Sequence, residues 1–139
     1  MYEPQEQTEA AERQRMDLAE VSNTMVRLYK ELFGRGPTKA RSALAGPDTL
    51  VCTLEDSLTP AERNMAKAGE HQRLRELRLY FQYAGEEDFI DAIEQITDRK
   101  VRAFVSGMDV QRDVATEVFY LEAAGTSFEH AEARDEMAP

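Results

Sequence analysis

Apolar residues recur every three or four positions in the first third of the chain, between Leu18 and Phe33. The stripe consists of Leu18, Val21, Met25, Leu28 and Leu32. This spacing places one row of apolar side chains along one side of an α-helix. Gly34 follows the last apolar pair, and a glycine in the left-handed conformation commonly ends a helix. We therefore predict a helix that ends at Phe33 and covers the core with its apolar side.

Two short segments after this helix alternate between apolar and polar residues, as strands with one buried face do. The first, Lys39–Ala45, alternates weakly, and the second, Thr49–Glu55, alternates clearly. The sequence Gly46-Pro47-Asp48 between them is typical of a turn. The pattern predicts a β-hairpin.

A second helical segment begins at Thr59-Pro60-Ala61-Glu62, which has the residues of a capping box with a proline at the first helical position. If it continued unbroken to Thr97, it would be roughly 57 Å long at 1.5 Å per residue. A compact domain of this size has a radius of gyration of about 14 Å and cannot enclose such a rod. The apolar stripe also changes sides after Gly85, and Gly69 and Gly85 are the candidate break points. We predict a long second helix that either breaks or extends onto a partner.

Two more strands are predicted near the end of the chain, around Val101–Val105 and over Val114–Glu122, with Ser106–Asp113 as the loop between them. The order α-β-β-α-β-β predicts an α+β fold, in which a four-stranded antiparallel sheet has its helices packed on one face. Residues 15–122 would form this single domain. Residues 1–14 would be an N-terminal extension or frayed helix start, and residues 123–139 a mobile acidic tail.

The chain has 139 residues and a formal net charge of −10. DNA and anionic membranes require a basic face on the protein that binds them, so we expect no nucleic-acid partner. No apolar run approaches the roughly 20 residues that cross a bilayer. The first residues also lack the apolar core of a signal peptide. These features predict a cytoplasmic protein without direct membrane insertion.

Residues that commonly carry out catalysis or bind metals are few. Cys52 is the single cysteine and lies on the apolar side of a strand, which favours a buried structural thiol. His71 is expected on the surface and His130 in the tail, without the spacing of zinc ligands. Glu87 and Asp91 share a helix side, which suits an acid/base pair or a divalent cation but is more often a solvated acidic surface. We expect no catalytic residues, no metal and no cofactor.

The segment from Gly34 to Arg41 has the composition of an anion-binding loop. It places three cations within seven residues, and its glycines let backbone N–H groups converge on an anion. The predicted anion site consists of Gly34, Arg35, Gly36, Thr38, Lys39 and Arg41. The alternative is a helix end followed by a turn whose cations offset acidic neighbours, because the spacing of a nucleotide P-loop is absent.

The second helix has apolar residues on more than one side, which a helix covered only by its own sheet does not need. We expect contacts between subunits from Leu74, Leu77, Leu79, Tyr80 and Tyr83. A basic run on the same helix, interleaved with Glu70 and Glu76, would pair within the helix or meet the acidic face of another subunit. It consists of Arg73, Arg75 and Arg78. These features predict a homodimer or a higher homo-oligomer.

Several segments match a known family in the same order along the chain. The most specific is Gly34-Arg35-Gly36-Pro37-Thr38-Lys39-Ala40-Arg41, and others lie at Leu58–Arg63, Phe89–Glu94 and Ala115–Phe119. Together they resemble the MpsC-type proteins, small bacterial proteins first catalogued as a domain of unknown function. The resemblance extends from about Leu18 to Glu122.

The resemblance implies association with a membrane-potential-generating system whose partners are linked to sodium and bicarbonate uptake. It carries no catalytic residue set over to this chain. We therefore expect a cytosolic, non-enzymatic accessory protein that acts as a homo-oligomer and supports a membrane transport system. The alternative is a regulatory module that senses bicarbonate, phosphate or a nucleotide with the Gly34–Arg41 loop. An enzyme built on Glu87 and Asp91 is a third hypothesis.

Overall fold

The computed structural model describes the backbone of residues 4–123 and the side chains of residues 18–123. Its elements are α1 (Pro4–Phe33), β1 (Lys39–Leu44), β2 (Thr49–Glu55), α2 (Pro60–Lys67), α3 (His71–Ala84), α4 (Glu86–Thr97), β3 (Val101–Asp109) and β4 (Val114–Leu121). The four strands form one antiparallel sheet in the order β1-β2-β4-β3. The predicted α+β class and the order of elements are confirmed.

The helices lie on one side of the sheet, and the core fills the space between the two layers. Val21 and Met25 of the apolar stripe of α1 are almost completely buried, and so is Tyr29, which lies four residues further along on the adjoining row. On α4, Phe89 and Ile93 are buried in the same way. The hydrophobic spacing of the sequence thus identifies the side of each of these two helices that faces the sheet.

The segment Pro60–Thr97 is not one long helix, because it is divided at both candidate glycines. Gly69 follows α2 with φ +85°, a conformation that residues with a Cβ atom rarely adopt. Gly85 separates α3 from α4 for a different reason, since a Cβ atom there would lie 3.3 Å from a ring carbon of Phe89 and 3.5 Å from Cδ2 of Leu32. The glycine allows α1 and α4 to approach closely. The length of the predicted helix therefore no longer argues for a partner.

The first turn of α2 contains the predicted capping box. The Thr59 hydroxyl accepts a hydrogen bond from the Glu62 N–H at 3.2 Å, and the Glu62 carboxylate accepts one from the Thr59 N–H at 2.9 Å. We expect Thr59→Ala to lower the free energy of unfolding by about 1 kcal/mol, because an N–H at the helix start loses its acceptor. Thr59→Ser keeps the hydroxyl and should retain most of this stability in urea unfolding. Equal losses in the two variants would contradict the capping role.

Strand β3 is longer than predicted, and its faces are exchanged. Val101 pairs with Leu121 and Ala103 with Tyr120, so a β-bulge lies between the two pairs. An extra residue in one strand moves every later side chain to the opposite face. Ser106, which was predicted to begin a loop, lies within the longer strand. Because of the bulge, its side chain points toward the helices.

Candidate functional site

A row of polar residues crosses the helix-facing side of the sheet, with one residue from each strand. In strand order they are Ser42, Cys52, Glu117 and Ser106, and each is the register partner of the next. Cys52 and Glu117 are completely buried. A carboxylate in the middle of a sheet face that otherwise carries core side chains requires compensating hydrogen bonds.

The Glu117 carboxylate receives these hydrogen bonds on one of its two oxygens. Its Oε1 accepts from the Tyr29 hydroxyl at 2.6 Å, from the Ser106 hydroxyl at 2.8 Å and from the Gln82 amide at 2.9 Å. Its Oε2 has no partner among the described residues. Burial raises the pKa of Glu117 to about 7, against the lowering effect of the three donors and of Arg78. The core thus contains a carboxyl group that titrates near neutral pH.

Arg78 forms the second part of this polar centre and is completely buried. Its Nη1 lies 3.3 Å from a carboxylate oxygen of Glu62, and its Nη2 donates to the Ser57 hydroxyl at 2.6 Å. The guanidinium carbon lies 3.6 Å from the centre of the Phe33 ring, a cation–π arrangement. Arg78 therefore joins α3 to α2, to the segment before α2 and to the end of α1.

Helix α3 has an inverted distribution of polar and apolar residues. Its buried residues are Leu74, Arg78 and Gln82, so two of the three side chains on its inner side are polar. Four of its large apolar residues are exposed instead, with exposed fractions of 41% for Leu77, 70% for Tyr80, 39% for Phe81 and 42% for Tyr83. A surface helix normally shows the opposite arrangement. We call the exposed side formed by Leu77, Tyr80, Tyr83 and Ala84 the outer face of α3; such an apolar patch is typical of an interaction surface.

The residues predicted to contact another subunit divide into two groups. Leu77, Tyr80 and Tyr83 lie on the outer face of α3. Leu74 is completely buried within this chain, and Leu79 packs against the core. Leu74 offers no surface to a partner, because its place in the helical repeat turns it toward the sheet, and the prediction is corrected for this residue.

Tyr83 also covers the open edge of the sheet. Its hydroxyl accepts a hydrogen bond from the Ser106 N–H at 3.0 Å and lies 3.3 Å from the Ser106 carbonyl oxygen, to which it donates. Strand β3 is an edge strand, and unpaired backbone groups on such a strand invite pairing with other chains. This residue therefore protects the edge while part of its ring remains exposed.

The cationic loop after α1 is engaged with a carboxylate. Arg35 donates to the carbonyl oxygens of Asp56 and Leu58 at 2.5 and 3.1 Å, and it forms an ion pair with the Asp56 side chain at 3.2 Å. The Thr38 hydroxyl donates to the same carboxylate at 2.8 Å, and Arg63 pairs with it at 2.5 Å. The hydrogen bond from Thr38, followed by the hydrogen bond and charge of Arg35 and the charge of Arg63, lowers the pKa of Asp56. These contacts tie the loop after α1 to the loop before α2.

The remaining residues of the predicted anion site also have structural roles or lie in solvent. Arg41 lies 3.3 Å from Glu55, and Lys39 is exposed. Gly34 has φ +81° after the end of α1, and a Cβ atom on Gly36 would lie 3.1 Å from the Val26 carbonyl oxygen. These positions agree with the alternative interpretation, in which the cations offset acidic neighbours. Anion binding stays a prediction, and an anion at Arg35 would have to displace Asp56.

The other candidate residues are spread over the molecule. Burial raises the pKa of the Cys52 thiol to about 12, as expected for a structural cysteine. His71, predicted at the surface, is half-buried, and its Nδ1 has no partner among the described residues. Glu87 and Asp91 are exposed on α4, and His130 lies outside the described residues. Within residues 18–123, no three His, Cys, Asp or Glu side chains are grouped as metal ligands would be.

Sequence reasoning missed the polar centre, although part of its signal is visible. Glu117 occupies the same side of its strand as Ala115 and Phe119, so its position in the alternation is that of a core residue. On α3, Arg78 and Gln82 follow Leu74 at intervals of four residues. Charged and amide side chains at core positions of the hydrophobic repeat are the pattern that predicts a buried polar network.

The fold and the polar centre define a small α+β domain whose sheet is covered on one side and whose core is partly polar. Residues 13–123 match the family model described as Na+-translocating membrane potential-generating system (MpsC). The match covers most of the chain, and the chain belongs to the MpsC family. No curated protein and no solved structure matches it significantly. In the part of the chain that was searched, no helix has the length and apolar character needed to span a bilayer.

Proposed function

We propose that this protein is a cytoplasmic, non-catalytic accessory subunit of a sodium-translocating membrane system and that it acts as a homo-oligomer. The link to sodium translocation is supported by the description of the MpsC family. Support of bicarbonate uptake through the same system is part of this proposal. The protein would act through contacts with other protein chains, since its most distinctive exposed feature is an apolar surface.

The observation that carries this proposal is the inverted α3. Its inner side is held to the body by Arg78 and Gln82, both completely buried, while Tyr80 on the outer face is 70% exposed. Each Å² of apolar surface removed from water contributes about 25 cal/mol, so covering this face with protein is favourable. A polar inner side and an apolar outer side together are expected for a helix whose outer face is covered in an assembly.

The test combines complementation with co-purification in the native host. A strain that lacks the gene should show reduced sodium-dependent membrane potential, and the wild-type chain should restore it. Tyr80→Asp places a charge on the outer face and should fail to restore it, whereas Gln72→Asp adds the same charge elsewhere on α3 and should succeed. A tagged wild-type chain should co-purify with polytopic sodium-transport proteins, identified by mass spectrometry.

Two results would overturn the accessory role. One is an unchanged sodium-dependent potential in the strain that lacks the gene. The other is co-purification in which the tagged chain recovers no component of a sodium-transport system. Circular dichroism of the purified variants distinguishes loss of contact from loss of folding, because Tyr80 is largely exposed and its replacement should leave the fold intact.

A further inference from the structure

We propose that the outer face of α3 packs against the same face of a second copy of this chain, with the two α3 helices antiparallel about a twofold axis at Tyr80. This inference rests on the proposed function, because it names the partner copy and the geometry of the homo-oligomer. It is carried by the placement of exposed residues on either side of Tyr80.

The exposed residues on this side of α3 have the sequence spacing of contact residues in helices that pack side by side along their length. Arg73, Leu77, Tyr80, Ala84 and Glu87 recur at intervals of three and four residues, and all are exposed. Tyr80 lies midway between Arg73 and Glu87, at seven residues from each. A repeat of seven residues keeps one side of a helix against a partner helix.

Glu87 belongs to α4, which one non-helical residue, Gly85, separates from α3. The Gly85 N–H donates to the Phe81 carbonyl oxygen at 3.0 Å at the end of α3, and the Phe89 N–H donates to the Gly85 carbonyl oxygen at 3.1 Å at the start of α4. Gln82 before this break and Phe89 after it are seven residues apart, and both are almost completely buried. The first turn of α4 therefore has its buried side in the same direction as α3, and Glu87 is exposed.

An antiparallel pair centred at Tyr80 brings together residues equally far before and after it. Arg73 then meets Glu87 of the second copy, and Leu77 meets Tyr83 of the second copy. The twofold axis repeats each contact, so the pair contains two ion pairs around an apolar centre. A parallel arrangement would instead place Arg73 against Arg73 and Glu87 against Glu87, which like-charge repulsion disfavours.

Both charged residues are available for these contacts. Arg73 lies 3.8 Å from Glu70 within its own helix, and both side chains are largely exposed, at 78% and 49%. An exposed pair of this kind contributes little and is readily exchanged for another. Among the described residues, Glu87 forms no ion pair. The outer face is self-complementary about Tyr80, because opposite charges and apolar residues lie at equal distances on either side of it. A self-complementary face fits a second copy of the same chain.

Charge reversal tests this geometry directly. Wild-type protein should be dimeric by sedimentation equilibrium at micromolar concentrations and low salt. Arg73→Glu and Glu87→Arg should each weaken the dimer on the order of 10- to 100-fold, because each converts two attractive contacts into repulsive ones. The chain that carries both changes should recover the dimer. An equimolar mixture of the two single variants should form a heterodimer, since one supplies two carboxylates and the other two guanidiniums.

Arg75→Glu is the matched control, because it makes the same charge change on the same helix at a different side. Arg75 is exposed and lines a groove of about 670 Å³ with Met108 and Asp109 at the end of β3. Its reversal should leave the dimer unchanged. Circular dichroism and urea unfolding should show that all of these surface variants fold like the wild-type protein.

Three outcomes would overturn the pairing: a monomeric wild-type protein, single reversals without effect, or single reversals that neither the double variant nor the mixture rescues. The co-purification experiment tests the accessory role separately. A monomer that still co-purifies with sodium-transport proteins retains that role and removes the α3 pair. A charge-dependent dimer that recovers no such protein retains the pair and removes the role.

Discussion

Replacing Arg78 by methionine is expected to lower the free energy of unfolding by about 3–5 kcal/mol. The guanidinium is completely buried, and it donates to the Ser57 hydroxyl and lies 3.3 Å from the Glu62 carboxylate. Methionine fills a similar volume but leaves this carboxylate with only part of its hydrogen bonds in a site largely closed to water. Urea unfolding near neutral pH measures the loss.

Two matched variants separate the charge of Arg78 from its shape. Arg78→Lys keeps the charge but loses the planar guanidinium over the Phe33 ring, so an intermediate loss is expected. Adding Glu62→Gln to Arg78→Met removes the unpaired charge and keeps an acceptor for the Thr59 N–H, so it should recover part of the stability. A loss below about 1 kcal/mol in Arg78→Met would contradict the role of the buried ion pair.

Replacing Glu117 by glutamine is expected to remove a pH dependence of stability between about pH 5 and about pH 8. The pKa of Glu117 is raised from 4.5 to about 7, with burial as the largest cause. The folded protein therefore binds more protons than the unfolded chain in this window. The linked stability is fully present below the unfolded pKa and is lost as the pH rises through about 7.

The size of this effect follows from the shift. Raising the pKa of Glu117 from 4.5 to about 7 corresponds to roughly 3 kcal/mol, and the side chain is completely buried, so solvent does not screen it. Glutamine resembles the protonated carboxyl group. The glutamine variant should match the wild type below about pH 4.5 and exceed its stability by up to this amount near pH 8.

A variant of one of the groups around Glu117 tests the assignment of the pH dependence to this carboxyl group. The charged and titratable groups there are Tyr29 on α1, Cys52 on β2 and Arg78 on α3, and the Tyr29 hydroxyl donates to the carboxylate at 2.6 Å. Removing this donor with Tyr29→Phe should raise the pKa of Glu117 further and move the loss of stability to higher pH. Urea unfolding across the pH range measures both variants. A constant difference between wild type and Glu117→Gln would contradict the assignment.

The regular parts of the fold could be predicted from local pattern. The stripe from Leu18 to Leu32 locates α1, the turn at Gly46-Pro47-Asp48 locates the hairpin, and the capping box at Thr59 locates the start of α2. Each signal depends on residues close together in the sequence. Local propensity and hydrophobic period therefore suffice to find these elements.

The polar centre could not be predicted as a unit, because its members come from the four strands and three of the helices, which only the tertiary structure brings together. The β-bulge after Val101 also exchanges the faces of β3, so alternation from Val101 onward would place the Ser106 side chain on the face away from Glu117. Gly85 could be named from the sequence as a candidate break. The reason that a glycine is needed there, the close approach of Leu32 and Phe89, is visible only in the structure. Contacts over long sequence distances determine these features.

The position of Cys52 makes its thiol a built-in probe for separation of the helices from the sheet. The thiol is completely buried, next to Glu117 in the sheet, and burial raises its pKa to about 12. The thiolate is the species that reacts with alkylating reagents, so modification requires the helices to leave the sheet first. Because the sequence contains a single cysteine, the rate of alkylation measures how often the helix layer separates from the sheet.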